Sequence, residues 1–321
     1  MKVATFLFIF LCQQAGANAP PAPSYLTGDS ISRTIQAEDE FSPTKAFEPS
    51  SEPQRSRKFL LPPLLSFLIP GFDQYWEGQY LYGAAYTGVA LGGYLVARNA
   101  ANEYRRDSSH NSRNEKVRQY NLGSQLIQAS GGFSAYHSFR TAVKTRQANG
   151  QFLFLKKEES PTDLLVAPFR FDYLLRPTTI LPLGVGAALV GLMVQQERTK
   201  LKSLNSSDVF YSGAFSFNAG THEEALFRGW IMPVSHHYLD NAVLANVTTS
   251  GLFAAAHLGT VSQPWPQALM GFYLGFVTQK RDWTLSESIF IHTWWDVMIF
   301  MASYATGDEA TIRLPLVDMR F

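Results

Sequence analysis

The sequence predicts an all-α fold, a polytopic transmembrane helical bundle that encloses a polar intramembrane site. Hydrophobic residues make up 46% of the 321 residues and charged residues only 17%, whereas about 25% charged residues is usual in a soluble protein. Several apolar runs are long enough to cross a bilayer, and a few ionisable residues lie inside them. The net charge is +1 and no basic face stands out. The predicted partner is therefore the lipid bilayer and not nucleic acid.

The first 58 residues are predicted to lie outside the bundle. Residues 1–19 have the features of a secretory signal peptide, with Lys2, an apolar run and a cleavage point after Ala17; an uncleaved anchor is the alternative. Residues 20–58 are rich in Pro, Ser, Thr and charge, which predicts a disordered linker. Cys12 is the only cysteine, so removal of the signal leaves no thiol for a disulfide, a nucleophile or a metal site.

Residues 59–176 are predicted to form an N-terminal membrane region with interfacial segments. The uncharged run 80–97 can span a bilayer, whereas 121–139 contains polar residues and is a weaker span. Lys and Arg crowd both flanks of 121–139, in conflict with the positive-inside rule. We therefore expect that 121–139 does not cross. Residues 140–176 mix charged and apolar residues, which favours helices that lie at the membrane interface.

Residues 177–305 form the second predicted membrane domain, and residues 306–321 form a tail. An ionisable side chain inside an apolar span costs about 2.5–3.5 kcal/mol on insertion, so it is expected to face an interior site and a partner. The predicted localisation is multi-pass in a membrane, and the signal peptide indicates a bacterial inner membrane. The apolar stretches of this domain are 177–194, 209–234, 242–258, 266–278 and 285–304.

The first group of ionisable residues in these spans lies at 222–228. Glu224 and Arg228 are four residues apart and share a helix face, so we expect an ion pair between them. Glu223 points about 100° away from Glu224, which leaves it available for a different task. His222, near the end of this helix, is interpreted as interfacial or solvated.

The second and third groups supply two imidazoles and a further carboxylate. Three alanines precede His257 and let neighbouring helices approach closely around its ring. His292 and Asp296 are one helical turn apart and can converge on one metal ion or one water molecule. No cysteine remains after signal removal and no Ser-centred nucleophile elbow is present, which leaves water activation. Glu223 would accept the proton from water, either directly or beside a zinc ion held by His257, His292 and Asp296.

Three motifs, Glu-Glu-x-x-x-Arg, Phe-x-x-x-His and His-x-x-x-Asp, follow one another on consecutive hydrophobic helices and resemble the CPBP family. This family contains type II CAAX prenyl endopeptidases and bacteriocin-processing and immunity-type membrane proteins. The resemblance covers residues 177–305 and implies an all-helical intramembrane fold. It also implies that Glu223 and His257 activate the water. His292 and Asp296 would assist, and Glu224 and Arg228 would support the site.

The last residue of the third motif departs from the family pattern. The family often has Asn there, whose amide can donate a hydrogen bond to an oxyanion, whereas an ionised Asp296 only accepts. A bound metal ion or a protonated carboxyl group would remove this conflict.

The predicted function is hydrolysis of a peptide bond in a membrane-associated peptide or protein, by a CAAX-type membrane protease of the metallo- or glutamate type. Two other hypotheses stay open. A non-catalytic membrane scaffold or binding protein would keep the polar cluster for helix packing, and a metal or ion transporter would use it as a midplane site. Zn²⁺ is a cofactor only in the metal-assisted version.

Overall fold

The computed structural model describes residues 58–106, 110–196, 201–258 and 264–307. These residues form helices and no strand, which confirms the predicted all-α class. The predicted signal peptide lies outside the described residues, as do the predicted linker up to residue 57 and the predicted tail from residue 308.

The helices are short near the N-terminus of the bundle and longer in its centre. Two 3₁₀ helices, Ala167–Phe169 and Phe171–Leu175, connect α5 to α6, and a π-helical turn, Phe227–Ile231, joins α7 to α8. In chain order the α-helices are α1 (Leu61–Leu68), α2 (Phe72–Trp76), α3 (Tyr80–Arg106), α4 (His110–Gln147), α5 (Pro161–Val166), α6 (Pro177–Gln196), α7 (Ser206–Leu226), α8 (Met232–Leu239), α9 (Ala242–Ala256), α10 (Trp265–Lys280) and α11 (Ser286–Thr306).

Two of the helices that carry site residues begin at well-formed caps. The Asn205 side chain accepts a hydrogen bond from the backbone N–H of Asp208, and the Asp208 carboxylate accepts one from the Asn205 N–H. This reciprocal capping box fixes the start of α7. The start of α11 is capped from a distant loop, because the Glu159 carboxylate accepts hydrogen bonds from the backbone N–H groups of Leu285 and Ser286.

Helix α4 is continuous over 38 residues, which corresponds to a length of roughly 57 Å. It therefore contains the whole of 121–139 and runs from one end of the bundle to the other alongside α3. Basic residues of α4 flank 121–139 on both sides, with Lys116 and Arg118 before it and Lys144 and Arg146 in the last turn. The charged flanks extend this helix beyond the apolar part, and the expectation that 121–139 does not cross the membrane stays a prediction.

Helix α6 is the one described helix that is long and apolar enough to cross a membrane by length and composition alone. Only 17% of its apolar window is buried, so most of its surface faces outward. It approaches α11 at Gly186, where a Cβ atom would lie 2.8 Å from the Trp295 ring. By length and composition α6 is a candidate membrane span, and the predicted polytopic arrangement goes beyond what the described helices show.

Glu287 ties α11 to the start of α6 and to the end of α10. Its carboxylate is buried and accepts hydrogen bonds from Arg176 at 2.5 Å and from Arg281 at 2.6 Å. Thr178 also donates to this carboxylate. Because charge-assisted hydrogen bonds are stronger than neutral ones, this cluster holds the beginning of α11 in place.

Candidate active site

The two adjacent glutamates of α7 have different environments. Glu224 is fully buried, and its Oε1 accepts hydrogen bonds from Arg228 Nη1 and from His292 Nδ1, both at 2.9 Å. Glu223 is partly accessible, and its Oε2 lies 3.9 Å from His257 Nε2 and 3.8 Å from His292 Nε2. The ion pair predicted for Glu224 and Arg228 is present, and Glu223 points to a different group of side chains.

Arg228 lies in the π-helical turn and is held from three sides. Besides its bond to Glu224, its Nη2 donates to the backbone carbonyl of Gly271 at 2.9 Å. Its guanidinium lies 4.5 Å from the centre of the Phe253 ring. A Cβ atom on Gly271 would lie 3.0 Å from Arg228 Nη2 and 3.2 Å from Phe253. The absence of a side chain at Gly271 therefore lets α10 come close enough to bind the guanidinium, and a π-helical turn at this point is typical of functional sites.

Both imidazoles are oriented through Nδ1. His257 Nδ1 lies 2.8 Å from the Phe253 carbonyl oxygen, and His292 Nδ1 lies 2.9 Å from Glu224 Oε1. A carbonyl oxygen or an ionised carboxylate only accepts, so we assign a proton to each Nδ1. In the neutral rings Nε2 is then an acceptor. Both Nε2 atoms face Glu223 Oε2.

Asp296 completes the cluster, with Oδ2 at 3.6 Å from His292 Nε2. The structure thus brings all six residues predicted for the site together. Glu223, His257 and Asp296 each keep about a fifth of the side chain exposed, whereas Glu224 and Arg228 are buried. The reactive groups therefore line the accessible side of the cluster, and the ion pair lies behind them.

The distances between these groups fit a bridging water better than direct contact. Separations of 3.6–3.9 Å exceed the range of a hydrogen bond and are typical of polar groups that share a water molecule. Imidazole and carboxylate donors suit zinc in principle. However, no group of three or more His, Cys, Asp or Glu side chains among the described residues is arranged to hold a metal ion. Zinc assistance stays a prediction.

Sequence reasoning missed the burial of His222. This side chain is only 4% exposed, its Nδ1 donates to the Asn218 carbonyl oxygen, and it packs against Gly132 of α4. The interpretation of His222 as interfacial or solvated is wrong, because α4 covers this face of α7. Its position directly before Glu223, inside an apolar stretch, was the available signal.

Residues 205–298 match a family model described as type II CAAX prenyl endopeptidase Rce1-like. The matched segment starts at the cap of α7, ends within α11 and contains all six site residues. The resemblance inferred from the three motifs is confirmed over this segment, and a role as a membrane protease with a peptide or protein substrate is supported. No curated protein and no solved structure matches the chain.

Proposed function

We propose that the protein is an intramembrane endopeptidase that uses Glu223 to activate water, and the match of residues 205–298 to the Rce1-like type II CAAX prenyl endopeptidase model supports this proposal. Its substrate is a membrane-associated peptide or protein. The observation that carries the proposal is the convergence of Glu223 Oε2 with the Nε2 atoms of His257 and His292 at 3.8–3.9 Å. One water molecule fits between these three atoms as a shared hydrogen-bond partner.

The first step is the attack of this water on the scissile carbonyl carbon. The water donates one hydrogen to Glu223 and the other to the Nε2 atom of His257, which is an acceptor because Nδ1 carries the ring proton. As the new C–O bond forms, a water proton passes to the Glu223 carboxylate. When the tetrahedral intermediate collapses, the C–N bond breaks and the same proton passes to the leaving amine. Glu223 is thereby returned to its starting form.

The oxyanion needs a hydrogen-bond donor near Glu223. We assign this role to His292 in its protonated form, which donates from Nε2. Glu224 on the Nδ1 side and Asp296 on the Nε2 side flank the ring, and these carboxylates balance the charge of an imidazolium. In this assignment the ionised Asp296 balances the charge of the His292 imidazolium and does not have to donate a hydrogen bond to the oxyanion.

Glu224 and Arg228 act as positioning residues in this mechanism. Glu224 holds the His292 ring through Nδ1, and Arg228 holds Glu224 while it is anchored on Gly271. The ring of Phe253 packs on Arg228 and its carbonyl orients His257. Precise orientation of both imidazoles is the contribution of this buried network, since a displacement of about 1 Å at a site can cost 10²-fold in rate.

We further propose that the bundle crosses the membrane several times, with the site near the middle of the bundle. The continuous segment α7 to α8 covers Ser206–Leu239, and Glu223 lies at its centre. Helix α9 ends at Ala256, and His257, which follows it, lies at the height of Glu223 in the bundle. Buried Glu224 and Arg228 are the kind of paired intramembrane charges that mark a functional site. The bacterial inner membrane stays a prediction from the sequence.

The test is cleavage of a library of quenched peptides by the full chain purified in detergent. Wild type is compared with Glu223→Gln and His257→Ala, and with Glu158→Gln as a control, because Glu158 is an exposed carboxylate paired with Lys144. We expect cleavage by wild type and by the control, and its loss in both site variants. Equal cleavage by all four proteins would identify a contaminant and defeat the proposal.

A zinc chelator separates the two versions of the chemistry. We expect cleavage to persist after chelation and dialysis, because the donor atoms are spaced for a shared water molecule. Loss of cleavage on chelation, with recovery on adding Zn²⁺, would instead establish metal assistance. Elemental analysis of the same samples measures the metal that stays bound. If cleavage and bound metal are lost together, the ion belongs to the protein, whereas loss of cleavage alone indicates a general effect of the chelator.

A further inference from the structure

A row of polar side chains, buried except for the half-buried Gln128, extends from the site along α4, α7 and α11. We name it the polar seam, and it consists of Gln125, Gln128, Ser212, Ser216 and Thr293. Within the described part of the chain, Gln125 Oε1, Gln128 Nε2 and the three hydroxyl oxygens are buried and have no hydrogen-bond partner. None of these residues belongs to the six that form the proposed active site.

The packing of α4 on α7 puts the members of the polar seam at neighbouring heights. The two helices run parallel, because one offset of 90 residues relates both Arg118 to Asp208, at 2.8 Å, and Gly132 to His222, in contact further along. By this offset the two glutamines of α4 lie level with the turn of α7 that carries Ser216. Ser216 shares a face of α7 with Gly220, which contacts Thr293 of α11, so the members of the polar seam lie where α4, α7 and α11 pack together.

The inner end of the polar seam lies at the proposed active site. Thr293 of α11 reaches it where Gly220 of α7 comes so close that a Cβ atom would lie 2.2 Å from the Thr293 hydroxyl oxygen. Gly220 is one turn after Ser216 and less than one turn before Glu223. Glu223 Oε2 is likewise buried without a hydrogen-bond partner among the described side chains. The row of unpartnered atoms thus ends at the proposed water-activating carboxylate.

The outer end of the polar seam is a network of charged and hydroxyl groups. Glu115 accepts hydrogen bonds from Ser207 at 3.0 Å and from Tyr211 at 2.9 Å, and the Arg118–Asp208 pair lies beside them. Polar groups of α4 and α7 therefore interact with each other at this end of the bundle, one turn before Ser212.

We infer that the polar seam holds a file of water molecules that connects this end of the bundle to Glu223. Buried polar groups in folded proteins are satisfied by protein atoms or by ordered water, and each buried water makes about 3 hydrogen bonds. Unpartnered polar atoms scattered through the protein would not provide a continuous path for water. Here five of them lie on three helices that meet, and a sixth belongs to Glu223.

The consequence of this inference for catalysis rests on the proposed function. Each hydrolysis consumes one water, whose hydroxyl goes to the carbonyl carbon and whose proton goes to the amine. A bound peptide covers the accessible side of Glu223, so the polar seam refills the water position from behind. A block in the polar seam is therefore expected to lower kcat, because the water position refills more slowly, and to leave KM unchanged, because none of the seam residues belongs to the six of the proposed active site.

The first test is hydroxyl-radical labelling by X-ray radiolysis of the detergent-solubilised full chain, read by mass spectrometry. Phe215 and Phe139 each lie in an apolar cluster and are equally buried at 1% and 0% exposure, but only Phe215 is next to Ser216 of the polar seam in the chain. Because radicals formed from bound water label the nearest side chains, we expect several-fold more labelling at Phe215. Equal labelling of the two rings would overturn the inference.

The second test uses variants. Ser216→Val is expected to reduce both the labelling of Phe215 and kcat at unchanged KM, and Ser216→Thr, which keeps the hydroxyl group, is expected to restore both. If Ser216→Val does not fold, Gln125→Leu against Gln125→Asn makes the same comparison. Labelling does not depend on cleavage. A wild type that labels at Phe215 but cleaves nothing defeats the proposed function alone, and one that cleaves without this labelling defeats the polar seam alone.

Discussion

The same substitution at two adjacent glutamates is expected to lower stability at one position and leave it nearly unchanged at the other. In Glu224→Gln, the amide keeps the shape of the side chain but removes the only carboxylate bonded to Arg228 in the described structure, and both partners are buried. In Glu223→Gln, no hydrogen bond shorter than 3.5 Å is lost, because the nearest imidazole nitrogens lie at 3.8 and 3.9 Å. The first variant is predicted to be destabilised and the second is not.

The magnitude follows from burial and from the number of bonds. Removing one partner of a buried ion pair costs about 3–5 kcal/mol, because the other charge stays buried without compensation. Glu224→Gln also weakens the bond that orients His292. At about 2–4 °C per kcal/mol for a large domain, the unfolding midpoint should fall by roughly 6–20 °C. Glu223→Gln should change the unfolding free energy by less than about 1 kcal/mol and lower kcat by about 10²–10⁴-fold as a general base is lost.

The assay combines thermal unfolding, followed by tryptophan fluorescence in detergent, with peptide cleavage by the same samples. Glu223→Gln should unfold at the wild-type midpoint and be inactive, and Glu224→Gln should unfold well below it. A Glu224→Gln midpoint within about 2 °C of wild type would refute the reasoning, since it would mean that Arg228 does not depend on this carboxylate. A large drop for Glu223→Gln would show that Glu223 supports the fold.

Three other substitutions test the surroundings of the site. Gly271→Ala should lower the unfolding free energy by about 1–3 kcal/mol through overpacking against Arg228, whereas Gly251→Ala, at an open helix position, should be neutral or stabilising in the same denaturation assay. Asp296→Asn should lower kcat, because a neutral amide no longer balances the charge of the His292 imidazolium, and Asp296→Ala should lower it at least as much; wild-type kcat in Asp296→Asn would contradict this role of the charge. Glu287→Gln should lower the unfolding free energy by about 1–3 kcal/mol in the denaturation assay. The range is low for a buried carboxylate, because the two arginines that bind it are about a third exposed. The kcat of the folded variant should be unchanged.

The sequence was sufficient to predict contacts that depend on local geometry. The Glu224–Arg228 pair follows from a spacing of four residues on one helix, and the divergence of Glu223 from Glu224 follows from the helical rotation per residue. His292 and Asp296 share a face for the same reason. The all-α class followed from the long apolar runs, since strands are shorter.

Contacts between helices could not be predicted in the same way, because they depend on packing. The bond from His292 to Glu224 joins α11 to α7, and the carbonyl of Gly271 that holds Arg228 belongs to α10. A carbonyl acceptor has no signature in residue type. The burial of His222 was missed for a related reason, since only the path of α4 shows that this face of α7 is covered.

The cap on α11 has a consequence for where the protein can be divided. Glu159, which binds the first N–H groups of α11, lies 46 residues before the start of the family match at residue 205. The described residues also belong to one compact unit, Arg57–Phe321. A truncation that begins at residue 205 would remove this cap and the α4 surface that covers α7. We therefore expect the matched segment alone to be less stable than the same segment with residues 57–204 attached.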